Sequence, residues 1–287
     1  MEKKPKFDVH YYLEDTKMSE GTQQLETAIP ECRDFYEVCG RTGTSLMAMK
    51  SPPVEYAVNG VFARNSCNGI LGSHDSSLSW VVLQAGISMS TGQSFFGWKV
   101  PKPLTTVIIE GERGLVFLKQ RVEMLHPDPL DNLYFVTADD FLKAGKPINI
   151  MEMETQTELE RYFSLMGAKV LIFDNPSYLC GEMDENANQD EQVYWAWFSR
   201  MRILGYTVIF VDHQGKNGGR LGRRGASKKE DFAHTLIEIS PTGGKNQADF
   251  TISLTKCRHE RPERNKVRVC LNSDSLPAKW ETMMDRA

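Results

Sequence analysis

The sequence lacks any apolar run of about 18 residues, the length that a helix needs to span a bilayer, so we expect no membrane segment. Its first residues, MEKKPKFDVHYY, contain no apolar stretch of the kind found in secretory signals, and we expect no signal peptide. It also lacks net positive charge, because 34 lysines and arginines against 38 aspartates and glutamates give −4. Any nucleic-acid site would therefore be local.

The cysteines form no C-x-x-C pair and no spacing typical of a metal site. They are Cys32, Cys39, Cys67, Cys180, Cys257 and Cys270. In a chain of 287 residues without a secretory signal, free buried thiols in a reducing compartment are the default. We therefore expect a cytoplasmic protein.

Short apolar runs alternate with segments of helical spacing from about residue 51 onward. The predicted buried strands are NGILG, TTVIIEGE (105–112), LYFVTADD (133–140), KVLIFDNPSYL (169–179) and YTVIFVDHQG (206–215). This alternation predicts an α/β fold with a mostly parallel sheet and helices on both faces. Three later segments, TLIEISP, ADFTISLTKCRHE and KVRVCLNS, alternate like antiparallel edge strands.

The predicted domain spans residues 51–275. Before it lies a polar N-terminal arm, 1–50, with one short helix near residues 30–40, and after it a C-terminal tail, 276–287.

Residues 69–80, GILGSHDSSLSW, have the spacing of a phosphate-binding loop, G-x-x-x-x-G-K-[ST], that opens a helix. Gly72 takes the place of the first glycine and Ser79 that of the final hydroxyl. Ser77 stands where the second glycine belongs, and Leu78 stands where the lysine belongs. One charge pair at about 4 Å is worth roughly 4 kcal/mol at an effective dielectric near 20, and leucine cannot supply it.

The rest of this loop also disfavours phosphate. It consists of Ser73, His74, Asp75 and Ser76, and Trp80 follows the final hydroxyl. Asp75 adds a negative charge, and Ser77 lacks the access of glycine to positive φ. We expect nucleotide binding or hydrolysis to be weakened or lost, and the simpler alternative is an ordinary strand–turn–helix without a ligand.

Further polar residues follow successive strands at Glu112, Asp174 and His213. In open α/β sheets the carboxyl ends of the strands carry the ligand site. This order, with the approach PPVEYAVNGVFARNSCNGILG and Trp80, resembles the RecA-like ATPases over about residues 50–270. The closest resemblance is to the plasmid RepA-type hexameric replicative helicases.

The resemblance implies a role for each residue. Glu112 falls at the catalytic glutamate that polarises water, and His213 at the sensor of the γ-phosphate. Asp174 falls at the Walker B aspartate, which would hold Mg²⁺ together with Ser79. Taken alone, Glu112 and Asp174 are equally compatible with a structural place at a strand end, and His213 is compatible with a histidine that is simply hydrogen-bonded within the fold.

The resemblance also implies cofactors and partners. Lys256 and Arg258 fall near the basic residues that reach the nucleotide of a neighbouring subunit; the alternative is an exposed charged edge. ATP and Mg²⁺ are the expected cofactors if the site functions, and the expected assembly is a homo-oligomer, a hexamer in that family.

A basic segment, QGKNGGRLGRRGASKK (214–229), follows the strand that carries His213. It contains five glycines, no acidic residue and no aromatic residue, and its basic members are Lys216, Arg220, Arg223, Arg224, Lys228 and Lys229. Such a segment suits salt-sensitive, sequence-tolerant contact with a phosphate backbone, and we expect single-stranded DNA. A solvated surface loop is the alternative, and Arg224 could instead contact a nucleotide.

These patterns predict a DNA-associated RecA-like protein with a degenerate phosphate loop, serving replication or its regulation on a plasmid, a phage or another mobile element. Two alternatives remain open. The chain could be an active, atypical ATPase in which Arg64, Lys99 or a neighbouring subunit replaces the missing lysine. It could also be a non-enzymatic regulator that co-assembles with an active helicase.

Overall fold

The computed structural model describes residues 40–50, 52–73, 77–181, 191–214, 230–242, 248–273 and 275–283. The chain divides into two units, Met1–Pro53 and Val54–Ala287. Within its described part the first unit contains α1 (Gly43–Ala48), where the hydroxyl of Thr42 accepts a hydrogen bond from the Ser45 amide. The helix predicted near residues 30–40 lies outside the described residues.

The second unit begins with a small antiparallel pair, β1 (Tyr56–Val58) and β2 (Phe62–Ala63). The elements that follow are β3 (Cys67–Ser73), α2 (Leu78–Thr91), β4 (Thr106–Glu110), α3 (Leu115–Leu125), β5 (Leu133–Thr137), α4 (Ala138–Lys143), α5 (Met153–Leu165), β6 (Val170–Asp174), a 3₁₀ turn (Pro176–Leu179), α6 (Glu191–Ile203), β7 (Thr207–Gln214), β8 (Thr235–Pro241), β9 (Asp249–Cys257), β10 (Lys266–Asn272) and β11 (Lys279–Met283). None of the helices in these ranges is long and apolar enough to cross a bilayer.

Nine strands form one sheet in the order β11-β10-β9-β8-β3-β7-β6-β4-β5. The six strands from β8 to β5 are parallel, while β9, β10 and β11 add antiparallel pairs at one side. The predicted fold class is therefore confirmed. The segment predicted as a C-terminal tail contains β11, which pairs with β10.

One strand differs from its prediction. TLIEISP forms β8, which lies inside the sheet, parallel to β3 and antiparallel to β9. Leu236, Ile237 and Ile239 are all buried, so both faces of this strand are covered, as is usual for parallel strands. The alternation of the three last segments did not distinguish this internal position from an edge.

Alternate residues of the parallel strands face two separate cores. Ile108, Ile172 and Ile209 pack on the side of α2, a helix that is buried on nearly every face. Phe173 and Phe210 pack on the opposite side, with α5 and α6. Because both faces are covered, a ligand could reach the polar residues of these strands only at the strand ends.

The sequence predicts free, buried thiols, and Cys67 allows this prediction to be tested. It begins β3, is almost fully buried, and burial raises the pKa of its thiol to about 12. In the native protein at pH 8 the thiolate fraction is about 10⁻⁴, so we expect negligible alkylation of Cys67 by iodoacetamide. The partly exposed Cys257 provides the comparison within the same sample. Peptide mass spectrometry with and without guanidinium chloride makes the measurement, and equal native labelling of both thiols would contradict the structure.

Candidate functional site

The strand register brings candidate residues to the carboxyl edge of the parallel strands. Gly72 of β3 pairs with His213 of β7, and Glu110 of β4 pairs with Asp174 of β6. Since β3, β7, β6 and β4 are consecutive in the sheet, these residues share one edge. In open α/β sheets this edge carries the ligand site.

Glu110 is buried at this edge together with Asp174, but it was not among the site residues predicted from the sequence. The strand predicted over 105–112 ends at Glu110, and this residue is 1% exposed to solvent. Its Oε1 accepts hydrogen bonds from the amides of Glu112 (2.9 Å) and Arg113 (3.0 Å), which turn the chain out of the strand. The available signal was its position as the last residue of the apolar run TVIIE.

Arg113 joins the two strand-end carboxylates. Its Nε lies 2.9 Å and its Nη2 2.7 Å from Glu110 Oε2, and Nη2 also donates to Asp174 Oδ2. The side chains of Arg113, Glu110 and Asp174 are 14%, 1% and 4% exposed. We call these three residues the buried ion cluster. It holds two carboxylates and one guanidinium, and charge-assisted pairs of this kind are strong.

The charges of the cluster act on one another in opposite directions. Burial raises the pKa of the Asp174 carboxyl to about 7, against the attraction of the Arg113 guanidinium. Burial lowers the pKa of Arg113, but Asp174 and Glu110 outweigh it and the net shift is upward. A second guanidinium, that of Arg121, lies 5.1 Å from the centre of the Trp80 ring. The pKa of Arg121 is lowered, mainly by burial and secondly by repulsion from Arg113.

Glu112 and His213 meet outside the buried ion cluster. Glu112 Oε2 lies 4.0 Å from His213 Nε2, and the Glu112 side chain is 44% exposed. Glu112 is therefore near the end of β7, whereas Glu110 pairs with Asp174. The roles that the resemblance implies for Glu112 and His213 stay predictions.

The phosphate-type loop is described at both of its ends. Gly72 and Ser73 end β3, while His74, Asp75 and Ser76 lie outside the described residues. Ser77 precedes α2 with φ 61° and ψ 25°, the left-handed conformation that favours glycine. The next three residues open α2: Leu78 and Trp80 are buried in the core beside the sheet, and Ser79 between them is partly buried.

The backbone at Ser77 gives a stability prediction. We expect Ser77→Gly to be more stable than Ser77→Ala by about 1 kcal/mol, because both lose the hydroxyl and only glycine adopts positive φ without steric cost. For a unit of this size the difference corresponds to roughly 2–4 °C in Tm. Thermal unfolding of the two variants side by side measures it. Equal Tm values would mean that the left-handed backbone is not retained in solution.

Lys256 and Arg258 lie away from this edge. Lys256 pairs with Leu236 near the start of β8, and β8 runs parallel to β3, so both basic residues are at the amino edge of the parallel strands. Lys256 Nζ donates to the carbonyl of Glu230, and Arg258 Nη2 donates to the carbonyl of Asp231 at 2.6 Å. The structure does not bring them to the edge that holds Gly72 in the same chain.

The other predicted cations divide into two groups. Arg64 bonds Glu55 at 2.8 Å shortly before β3 begins, and the carbonyl of Lys99 accepts the Asn59 amide. The predicted nucleic-acid residues lie outside the described residues; they are Lys216, Arg220, Arg223, Arg224, Lys228 and Lys229. The strand before them, β7, ends at Gln214, which pairs with Ser73.

Comparison with known proteins agrees with this architecture. Residues 42–219, more than half of the chain, match the family model described as AAA domain. A KaiC-like protein from the hyperthermophilic archaeon Pyrococcus horikoshii OT3 has a similar structure, with a TM-score of 0.54 and 14% identity over 79% of this chain and 100% of that chain. The flagellar accessory protein FlaH from Methanocaldococcus jannaschii gives 0.53 and 12% over 77% of this chain and 90% of that one.

No curated protein matches the sequence. At these identities the two structures establish the fold alone, and it is the RecA-like fold that the resemblance of the sequence implied. The chain belongs to the AAA domain family and has the fold of a RecA-like P-loop ATPase.

Proposed function

We propose that this chain is a DNA-associated RecA-like protein, related to the RepA-type helicases, that binds nucleoside triphosphate weakly and does not hydrolyse it at a useful rate. The observation that carries the proposal is the pairing of both strand-end carboxylates with Arg113. The resemblance implies that Asp174 would hold Mg²⁺, but here its carboxylate is paired with Arg113, which also pairs with Glu110.

The loop supports weakened phosphate binding. The lysine of a phosphate loop places a positive charge on the β- and γ-phosphates. Leu78 occupies that position and is 4% exposed within the apolar core. Backbone amides at the start of α2 would still attract phosphate, because helix N-termini bind anions. We therefore propose that the protein keeps some affinity for nucleotide.

The RecA-like fold implies ATP with Mg²⁺, and the carboxylate pair does not fit that ion. At least three of its four carboxylate oxygens already accept hydrogen bonds, all of them from the chain itself. A dication about 4 Å from the guanidinium would meet a repulsion of roughly 8 kcal/mol at an effective dielectric near 20. We therefore assign no hydrolytic step to a metal ion at Glu110 and Asp174.

Two features support association with DNA and with further copies of the chain. The basic segment 214–229 begins where β7 ends, beside Ser73, so its start is anchored at the carboxyl edge. Lys256 and Arg258 lie at the opposite edge, which suits contact with the nucleotide of a neighbouring subunit. The proposed setting, replication or its regulation on a mobile element, rests on the resemblance to RepA-type helicases.

ATP turnover with Mg²⁺ and single-stranded DNA tests the proposal. Typical enzymes turn over 1–10³ times per second, and we expect about 0.01 s⁻¹ or less here. Glu110→Gln and Glu112→Gln form a matched pair, one buried and one exposed, and we expect neither to change the residual rate. Turnover above about 1 s⁻¹ that either Glu112→Gln or Glu110→Gln abolishes would overturn the loss of hydrolysis.

An active, atypical ATPase is the second candidate, and Arg121 is the observation that favours it. Its guanidinium lies over Trp80, one residue beyond Ser79, and so stands near the start of α2. There it could supply the charge that Leu78 does not. The same assay distinguishes the two candidates, because an active ATPase requires substantial turnover that falls in Arg121→Ala as well as in Glu112→Gln.

A further inference from the structure

We propose that Arg113 is a resident cation that keeps divalent metal ions out of the carboxylate pair, so that binding of nucleoside triphosphate by this chain does not depend on a divalent metal. The first part stands on the buried ion cluster alone. The second part rests on the proposed nucleotide binding.

The oxygens of Glu110 are committed to the chain. Oε1 accepts hydrogen bonds from the amides of Glu112 and Arg113, and Oε2 accepts one from Nε of Arg113, whose Nη2 also lies 2.7 Å away. A metal ion needs lone pairs on these oxygens. It could bind only after two backbone amides or a guanidinium had been displaced.

The position of Arg113 makes displacement difficult. Its backbone amide and its side chain bond the same carboxylate, so the tight turn after β4 fixes the side chain at both ends. Asp174 accepts a hydrogen bond from Nη2, the nitrogen that also lies against Glu110, and the Arg113 side chain is 14% exposed. A planar guanidinium that bridges two carboxylates is preorganised and always charged.

The positive charges around the buried ion cluster disfavour the binding of another cation there. Arg121 already experiences repulsion from Arg113, which contributes to its lowered pKa. Elsewhere in the described ranges no group of three or more histidine, cysteine, aspartate or glutamate side chains is arranged to hold a metal ion. An incoming dication would face two guanidinium groups, with the carboxylates already neutralised in part by one of them.

Titration with Mn²⁺ alone, followed by the EPR signal of the free ion, tests the first part. We expect the wild-type protein to remove no Mn²⁺ at this site up to about 1 mM, since its carboxylate oxygens are occupied. Arg113→Gln, which keeps much of the side-chain volume, should gain one site at least tenfold tighter. That gain should vanish in Arg113→Gln/Asp174→Asn, and the control Arg121→Gln should show none.

Two results would overturn the inference. One is a wild-type Mn²⁺ site with Kd below about 1 mM that Asp174→Asn removes, because aspartate is the ligand such an ion would use. The other is a folded Arg113→Gln protein without a new site. If Arg113→Gln fails to fold, the Mn²⁺ titration of the wild-type protein still tests the first part of the proposal.

Binding of a fluorescent ATP analogue, with 5 mM Mg²⁺ or with EDTA at about the same concentration, tests the second part. We expect Kd values that agree within about twofold, since metal-free phosphate would still meet the helix N-terminus. A Kd at least tenfold lower with Mg²⁺ would overturn metal independence. No binding in either buffer would refute the proposed nucleotide binding and with it the second part, while the Mn²⁺ titration still decides the first.

Discussion

Arg113→Ala is expected to destabilise the folded protein by about 3–5 kcal/mol, because it leaves two carboxylates buried without their cation. Glu110 and Asp174 are nearly inaccessible to water, and both depend on Arg113 for a charge-assisted hydrogen bond. Removing one partner of a buried ion pair costs far more than the pair contributes relative to an apolar replacement. For a unit of this size the loss lowers Tm by roughly 10 °C.

Urea unfolding of a neutralised variant separates this charge effect from the loss of side-chain volume. Glu110→Gln/Arg113→Met/Asp174→Asn removes all three charges together, and we expect it to recover most of the lost stability, to within about 2 kcal/mol of wild type. Arg121→Ala is the matched control and should cost less than about 1 kcal/mol, since no carboxylate in the described ranges forms an ion pair with it at 4 Å or less. Unfolding of Arg113→Ala at the wild-type urea concentration would contradict the buried ion cluster.

Neutralising the basic segment is expected to raise the Kd for single-stranded DNA at least 100-fold in about 50 mM salt. The variant replaces Lys216, Arg220, Arg223, Arg224, Lys228 and Lys229 with glutamine. Each phosphate contact on a single strand contributes about 0.7 to the slope of log K against log salt, so six contacts should lower that slope by about 4. The segment contains no aromatic residue, and base stacking should therefore contribute little.

Fluorescence anisotropy with an oligo-dT probe at several salt concentrations makes the measurement. Lys119→Gln/Lys143→Gln is the control, since both lysines are exposed on helices α3 and α4, away from the basic segment in sequence. We expect this control to keep the wild-type slope. If the neutralised segment keeps both the affinity and the slope, the segment is a solvated loop and the proposed association with DNA is wrong.

Much of the fold could be predicted because its signals are local. Each buried strand is a short apolar run, each helix has its own spacing, and carboxyl ends of parallel strands share an edge whatever their order. Gly72, Asp174 and His213 could therefore be placed at that edge from the sequence alone. The position of β8 within the sheet could not be predicted from the sequence, because whether a strand pairs in parallel or antiparallel depends on which distant strand lies beside it.

Glu110 and Glu112 show what local sequence signals cannot determine. Glu110 is the last residue of β4 and Glu112 lies two residues later, and this spacing alone does not show which of the two side chains is buried. The choice depends on the turn after the strand, in which Glu110 accepts the amides of Glu112 and Arg113. That turn is stabilised in part by Asp174, 61 residues further along the chain.

The sequence by itself determined the α/β class, the edge at which the polar residues gather, and the absence of a lysine from the phosphate-type loop. Only the tertiary structure decided what the strand-end carboxylates bind. Arg113 has no unusual feature in the sequence, and its importance comes from a partner that folding brings beside it. Charge pairing between distant residues depends on distance and burial, and neither quantity can be obtained from local sequence patterns.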